Sequence, residues 1–236
     1  MLTIHTADRV FAAIGRPVAH ADAVVVDGGL IAAVGTLEQA TAAHPGARVR
    51  RWPGVLLPGL VNADAVALLE RAYHPDPREA DALGTEPLTG ESLAALALDD
   101  VRRGGSARRG LQRMLAHGTT AVVGPFALPE VRSAVARSGL RVRVREAGTG
   151  YPPRTSSPSY SPSSSAAPSL DPFAARPLSA VLDGELTVGA PADFAVFDVP
   201  VPVADPPEPP ERTLRVRGAG TCVATVLGGR LVYRAR

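Results

Sequence analysis

Residues 151–169 constrain this chain of 236 residues more than any other stretch, because 13 of those 19 positions are Ser or Pro. Such side chains cannot bury enough apolar surface to offset the entropy of ordering the backbone. The stretch reads as a flexible linker, so the ordered chain falls into a part before it and a part after it.

Before the linker the pattern changes once. Ala23-Val24-Val25-Val26-Asp27 and Leu30-Ile31-Ala32-Ala33-Val34 flank Gly28-Gly29, and paired glycines supply the positive φ of a tight hairpin turn. Residues 36–43 follow as a short helix with Thr36 as N-cap and Gly46 beyond its end, and residues 48–52 return as a strand. From residue 61 to residue 146 helix and strand alternate. Residues 106–117 place Leu111, Met114 and Leu115 on one helical face, with Gly118 as C-terminal cap. Residues 119–123 are a strand, residues 129–138 a second helix with Pro129 in its first turn, and Arg141-Val142-Arg143-Val144-Arg145 a strand with one apolar and one cationic face. That succession predicts a parallel α/β layer of about three strands.

After the linker, residues 178–182 read as a helical remnant, Asp193-Phe194-Ala195-Val196-Phe197-Asp198 as a strand, and residues 199–212, with six prolines, as an extended loop. Residues 221–227 and 230–233 close the chain as a hairpin around Gly228-Gly229. Strands at both ends thus bracket an α/β insert.

Composition narrows the function classes. At 45% hydrophobic residues the chain can build a sizeable core. The 25 basic residues exceed the acidic ones by two, and every one is Arg. No basic run is interleaved with aromatics, which speaks against nucleic acid as a partner. The one cysteine, Cys222, allows neither an internal disulfide nor a cysteine-rich zinc site. The start lacks a basic segment followed by an apolar one, and no apolar run reaches about 18 residues, so no membrane partner and a cytoplasmic location are expected.

Three segments in order resemble the amidohydrolase superfamily. Pro58-Gly59-Leu60-Val61-Asn62-Ala63 resembles the end of that superfamily's first barrel strand, which runs into His-x-His, and Gly118-Thr119-Thr120-Ala121-Val122-Val123 resembles its second strand. Leu186-Thr187-Val188-Gly189-Ala190-Pro191-Ala192-Asp193-Phe194-Ala195-Val196-Phe197-Asp198, with Gly228-Gly229-Arg230-Leu231-Val232-Tyr233, resembles the return of the chain into the small β-sandwich beside the barrel. The nearest flavour is the composite domain of imidazolonepropionase and aminodeoxyfutalosine deaminase. The resemblance implies a fold of class α/β plus β: a small β-sandwich composite domain built from both chain ends, with a truncated TIM-barrel-like α/β insert. The boundaries it implies are 1–57 and 174–236 for the two halves of the sandwich, 58–147 for the barrel remnant and 148–173 for the linker. It also implies a lineage that hydrolyses carbon–nitrogen bonds other than peptide bonds, using water activated on a divalent metal such as zinc.

The chain departs from that pattern where the chemistry would occur. The two histidine positions hold Asp64 and Val66. Valine has no donor atom, and a lone carboxylate is a poor zinc site. No Lys is present to become a carboxylated bridging ligand, and no His follows His117. About 126 positions separate Pro58 from Gly184, whereas a complete barrel takes about 250 residues. No catalytic or metal residue and no cofactor is therefore expected, and the lineage's turnover is expected to be lost.

Other candidates read blandly. His117 suits the C-terminal end of a helix dipole, and His74, in Tyr73-His74-Pro75-Asp76-Pro77, reads as solvated. Asp99-Asp100 reads as charged surface, the serines of the linker lack a nucleophile elbow, and neither glycine pair belongs to a phosphate loop. Half a barrel would leave Leu111, Met114, Leu115 and the Val122-Val123 strand uncovered. The competing reading is thus a non-catalytic assembly module that docks on itself or on a related amidohydrolase. Asp64 is expected to pair with the face formed by Arg141, Arg143 and Arg145, either as a salt bridge or as part of an anion site.

Overall fold

In the computed structural model, which describes residues 2–13, 21–144, 167–201 and 210–235, the chain opens with strands β1 (Leu2–Thr6), β2 (Arg9–Val10), β3 (Ala23–Asp27) and β4 (Leu30–Gly35). Helix α1 (Leu37–Ala43), β5 (Arg48–Arg51), β6 (Val55–Pro58), β7 (Leu60–Asn62) and α2 (Ala65–Glu70) follow. After two short helices, α3 (Ala80–Leu83) and α4 (Gly90–Ala94), come α5 (Asp100–Leu115), β8 (Thr119–Gly124), α6 (Pro129–Ser138) and β9 (Arg141–Val144). The chain closes with α7 (Leu178–Val181), β10 (Phe194–Phe197), α8 (Glu211–Arg217), β11 (Cys222–Leu227) and β12 (Arg230–Arg234). The result is a mixed α/β architecture on three sheets.

The first sheet runs β4-β3-β1-β5 and the second β12-β11-β10-β6-β2, so the second draws strands from both sides of the α/β segment. The expected hairpin β3–β4 lies in the first sheet and the closing strands β10 to β12 in the second. They meet through side chains: Val24, Val26 and Ile31 pack against Leu56, Phe194, Val196, Ala224 and Val226 in one buried cluster. Both faces of β3 are covered because Ala23 and Val25 on its other side pack with Ile4 and Ala40 of α1. This explains a run of four buried apolar residues where a half-exposed strand would alternate. The N-cap Thr36 forms a full capping box, accepting from Gln39 N at 3.2 Å while Gln39 Oε1 accepts from Thr36 N at 3.2 Å.

The third sheet, β7-β8-β9, is parallel throughout. Gly59, which joins β6 to β7, lets the chain pass close to β8: a Cβ there would lie 2.0 Å from Thr120 Oγ1. Helices α2, α5 and α6 cover one face, burying Leu68, Leu111, Met114, Val122, Val131 and Val135 together. The expectation that Leu111, Met114 and the Val122 strand lack cover is thereby corrected. Helix α2, which sequence patterning did not reveal, supplies much of that cover.

Several local readings change. Helix α5 begins six residues earlier than periodicity suggested because Asp99, taken for charged surface, is its N-cap and accepts from Arg102 N at 2.7 Å. His74 is not solvated; it is wholly buried, with Nε2 2.9 Å from Leu68 O and its backbone N–H bonded to Ser106 Oγ at 2.8 Å. Gly110 makes room for it, since a Cβ there would lie 2.8 Å from His74 Nε2. The loop expected through residue 212 gives way to α8, whose Leu214 is buried. Most of the 148–173 linker, residues 148–166, lies outside the described residues; Phe173 at its far end is buried against Phe197. No helix among the described residues is long and apolar enough to cross a membrane.

Candidate functional site

Strand β7 ends at Asn62, and the chain turns at once into α2 through Ala63 and Asp64. Asn62 is buried and makes that turn: its Oδ1 accepts from Asp64 N at 2.9 Å, and its Nδ2 donates to Ser169 O at 3.1 Å. The arm after residue 167 is thus tied across the end of the strand. Arg176 on the same arm donates to both oxygens of Asp64, Nη2 to Oδ1 at 2.7 Å and Nη1 to Oδ2 at 3.2 Å. Ser169 N adds a third donor to Oδ2 at 3.2 Å. A planar fork facing a carboxylate is the strongest geometry that pair can adopt.

This donor set does not fit a metal. Both Asp64 oxygens are engaged by protein donors, Val66 offers no ligand atom, and among the described residues no three His, Cys, Asp or Glu side chains converge. His117 is turned to its own helix, with Nδ1–H donating to Arg113 O at 2.7 Å. His74 Nε2 is taken by Leu68 O. A cation here would have to displace a bidentate guanidinium and find its remaining ligands elsewhere.

The arginines expected to serve Asp64 serve another carboxylate. Arg141 donates Nε to Asp183 Oδ2 at 3.1 Å, Arg143 donates Nε to Asp183 Oδ1 at 2.7 Å, and Nη2 of each reaches the same oxygens. Thr120 Oγ1 adds a bond at 3.2 Å, and Arg141 Nη2 also reaches Asp193 Oδ2 at 3.0 Å. The register explains the switch. Arg141 and Arg143 stand opposite Ala121 and Val123, on the face away from Val122 and the helices, whereas Asp64 opens α2 on the helical face. Arg145 lies outside the described residues. Sequence reasoning missed both Arg176 and Asp183, whose partners lie 112 and 42 positions away, beyond the reach of any local pattern.

A cavity of about 630 Å³ borders the same arm, lined by Leu68, Arg71, Glu86, His117, Leu170 and Asp171 among others. Its lining includes no cysteine. Cys222 itself is buried away from it, and burial pushes its thiol up to about 11, leaving it a poor nucleophile.

Residues 23–47, which span β3, β4 and α1, match the family described as imidazolonepropionase-like composite domain, bacteria. The resemblance read from the sequence is shown for that segment. No curated protein matches the chain. Among solved structures, the chain is similar to A. niger ochratoxinase at 21% identity, covering 61% of this chain and 30% of that one, with a TM-score of 0.41. It is similar to Helicobacter pylori aminofutalosine deaminase at 19% identity, covering 61% and 33%, with a TM-score of 0.39. An amidohydrolase from an environmental sample of the Sargasso Sea is similar at 20% identity, covering 61% and 33%, with a TM-score of 0.40. The chain spans about a third of the length of these structures.

Proposed function

Starting from an imidazolonepropionase-like composite domain at residues 23–47, we propose that the chain is a non-catalytic relative of the amidohydrolases that hydrolyse carbon–nitrogen bonds other than peptide bonds. One observation carries the reading: at the end of β7, where a His-x-His pair would hold a metal, Arg176 and the Ser169 N–H engage both oxygens of Asp64. A guanidinium in that place supplies the positive charge a metal would, but it has no open coordination position at which water could be activated. The reading includes no cofactor and a cytoplasmic setting.

In this reading the first two sheets are the small β-sandwich of the composite domain, with halves at 1–57 and 174–236. Their shared apolar layer and the mixed origin of the second sheet support it. The parallel sheet β7-β8-β9 is the remnant of the barrel, at 58–147, supported by its helical crossovers α5 and α6. With 148–173 as linker, no room remains between β9 and the return for the strands that would complete a barrel.

The test is turnover. Protein purified without chelator and supplied with zinc or manganese should show no deaminase or cyclic-amide hydrolase activity above a protein-free control. Turnover that disappears in Asp64→Ala would overturn the reading. A second reading, assembly with another copy or with a related amidohydrolase, is favoured by Val142 and Val144 on the edge strand β9, 48% and 69% exposed. It predicts concentration-dependent association by light scattering that V142E/V144E removes; a monomer at every concentration would sink it.

A further inference from the structure

Strand β5 carries Arg48, Arg50 and Arg51 within four residues, and no carboxylate meets any of them among the described residues. Its parallel register with β1 sets Arg48 opposite Thr3 and Arg50 opposite His5. The His5 ring packs edge-on against Phe194 of the second sheet, 4.9 Å between centroids. Arg48 and Arg50 therefore stand on the face turned toward that sheet, about 6.6 Å apart along the strand. Trp52, the sole tryptophan, closes the same end: its ring stacks on His5 at 6.2 Å, and the Arg234 guanidinium of β12 lies 5.8 Å from its centre. Partial burial, together with the charges of Arg48 and Arg234, pushes the Arg50 guanidinium below its ordinary value. The cations crowd one another there, and among the described residues no carboxylate neutralises them.

Among the described residues the backbone beside them is equally unpartnered. β5 is the end strand of its sheet. Trp52 N donates to Thr6 O at 2.9 Å, so by the alternation of a strand the N–H groups of Val49 and Arg51 point away from β1. The geometry points to β5 as a strand-addition site for an extended acidic segment of a partner protein, with carboxylates at every second residue meeting Arg48 and Arg50. Two features of the site must be met together, outward backbone donors and guanidinium groups at strand spacing, and an acidic extended peptide meets both. A second copy of β5 would set arginine against arginine. A free polyphosphate or nucleic acid would meet the charges and leave the backbone donors unused, and the Trp52 ring is already engaged by His5 and Arg234. The competing explanation is an edge strand charged only to discourage pairing, which predicts no binding at all.

Trp52 emission reports binding in the unmodified protein. The titrants are a seven-residue capped peptide alternating Thr and Glu, its counterpart with Lys for Glu, a version N-methylated at alternate amides, and a ten-nucleotide oligothymidylate. We expect a saturable change with the acidic peptide alone, weakened at least about tenfold in R48E/R50E and with the N-methylated version. R48E/R50E should keep the wild-type circular dichroism, and the N-methylated peptide tests the wild-type chain directly should that variant fail to fold. No saturable change, equal binding of the N-methylated peptide, or equal binding of the oligothymidylate would each overturn the inference.

Discussion

Asp64 and Asp183 are both held by arginine, but the two ends of the parallel sheet use that pairing differently. Asp64 retains 22% of its side-chain exposure and takes one guanidinium, itself 27% exposed. Asp183 is fully buried and takes two guanidinium groups and a threonine hydroxyl, while its backbone N–H bonds Gly59 O at 2.7 Å. A carboxylate withdrawn from water needs every lone pair answered, whereas one left partly wet can manage with less. Asp183 is thus a staple joining β8 and β9 to the chain's return into the second sheet. Asp64 sits at the end of β7, and the arm carrying Ser169 and Arg176 closes over it.

The largest expected effect is at the staple. The double substitution R141A/R143A, which leaves the buried Asp183 carboxylate without a counter-charge, should cost about 3–5 kcal/mol of unfolding free energy, the usual range for breaking a buried ion pair, measured by chemical denaturation. A loss near that of an exposed bridge would break the contrast between the two ends. His5 sharpens it as a buried titratable group with no carboxylate partner: burial first, and the Arg50 charge second, hold its imidazole down to about 4. Between pH 4 and 6.5 the unfolded chain binds the proton that folded His5 refuses, so stability rises with pH across that window and is lost as pH falls through it. The contribution lost is roughly 3 kcal/mol when the whole window is crossed, and H5Q should show a shallower pH dependence than wild type in denaturation at pH 7 and 4.5. Asp64→Asn comes next, at about 1 kcal/mol, because its pair is partly solvated. Smallest is Cys222, whose alkylation by a thiol reagent should be negligible in the native protein and complete once it unfolds.

What the sequence could tell divides along the same lines. The Gly28-Gly29 hairpin, the Thr36 N-cap and the alternation of β8, α6 and β9 are local, written in turn chemistry and in periodicities of two and 3.6, and they were legible. The start of α5 was misplaced because Asp99 could equally be surface or cap until its partner N–H was known. His74 was misread because burial depends on Gly110, which makes room from a helix 36 positions on. That positions 64 and 66 hold Asp and Val, with no His-x-His pair, could be seen directly. Which arginine answers Asp64 could not, since it depends on which sheet face each side chain leaves and on an arm 112 positions further along the chain.

Zinc uptake tests the central claim most directly. Competition with a chromogenic chelator at neutral pH, on protein purified without added metal, should show no stoichiometric zinc bound in the micromolar range or tighter, in the wild type and in D64A alike. One equivalent of tightly bound zinc in the wild type, lost in D64A, would show that Arg176 yields to a metal and would contradict the account.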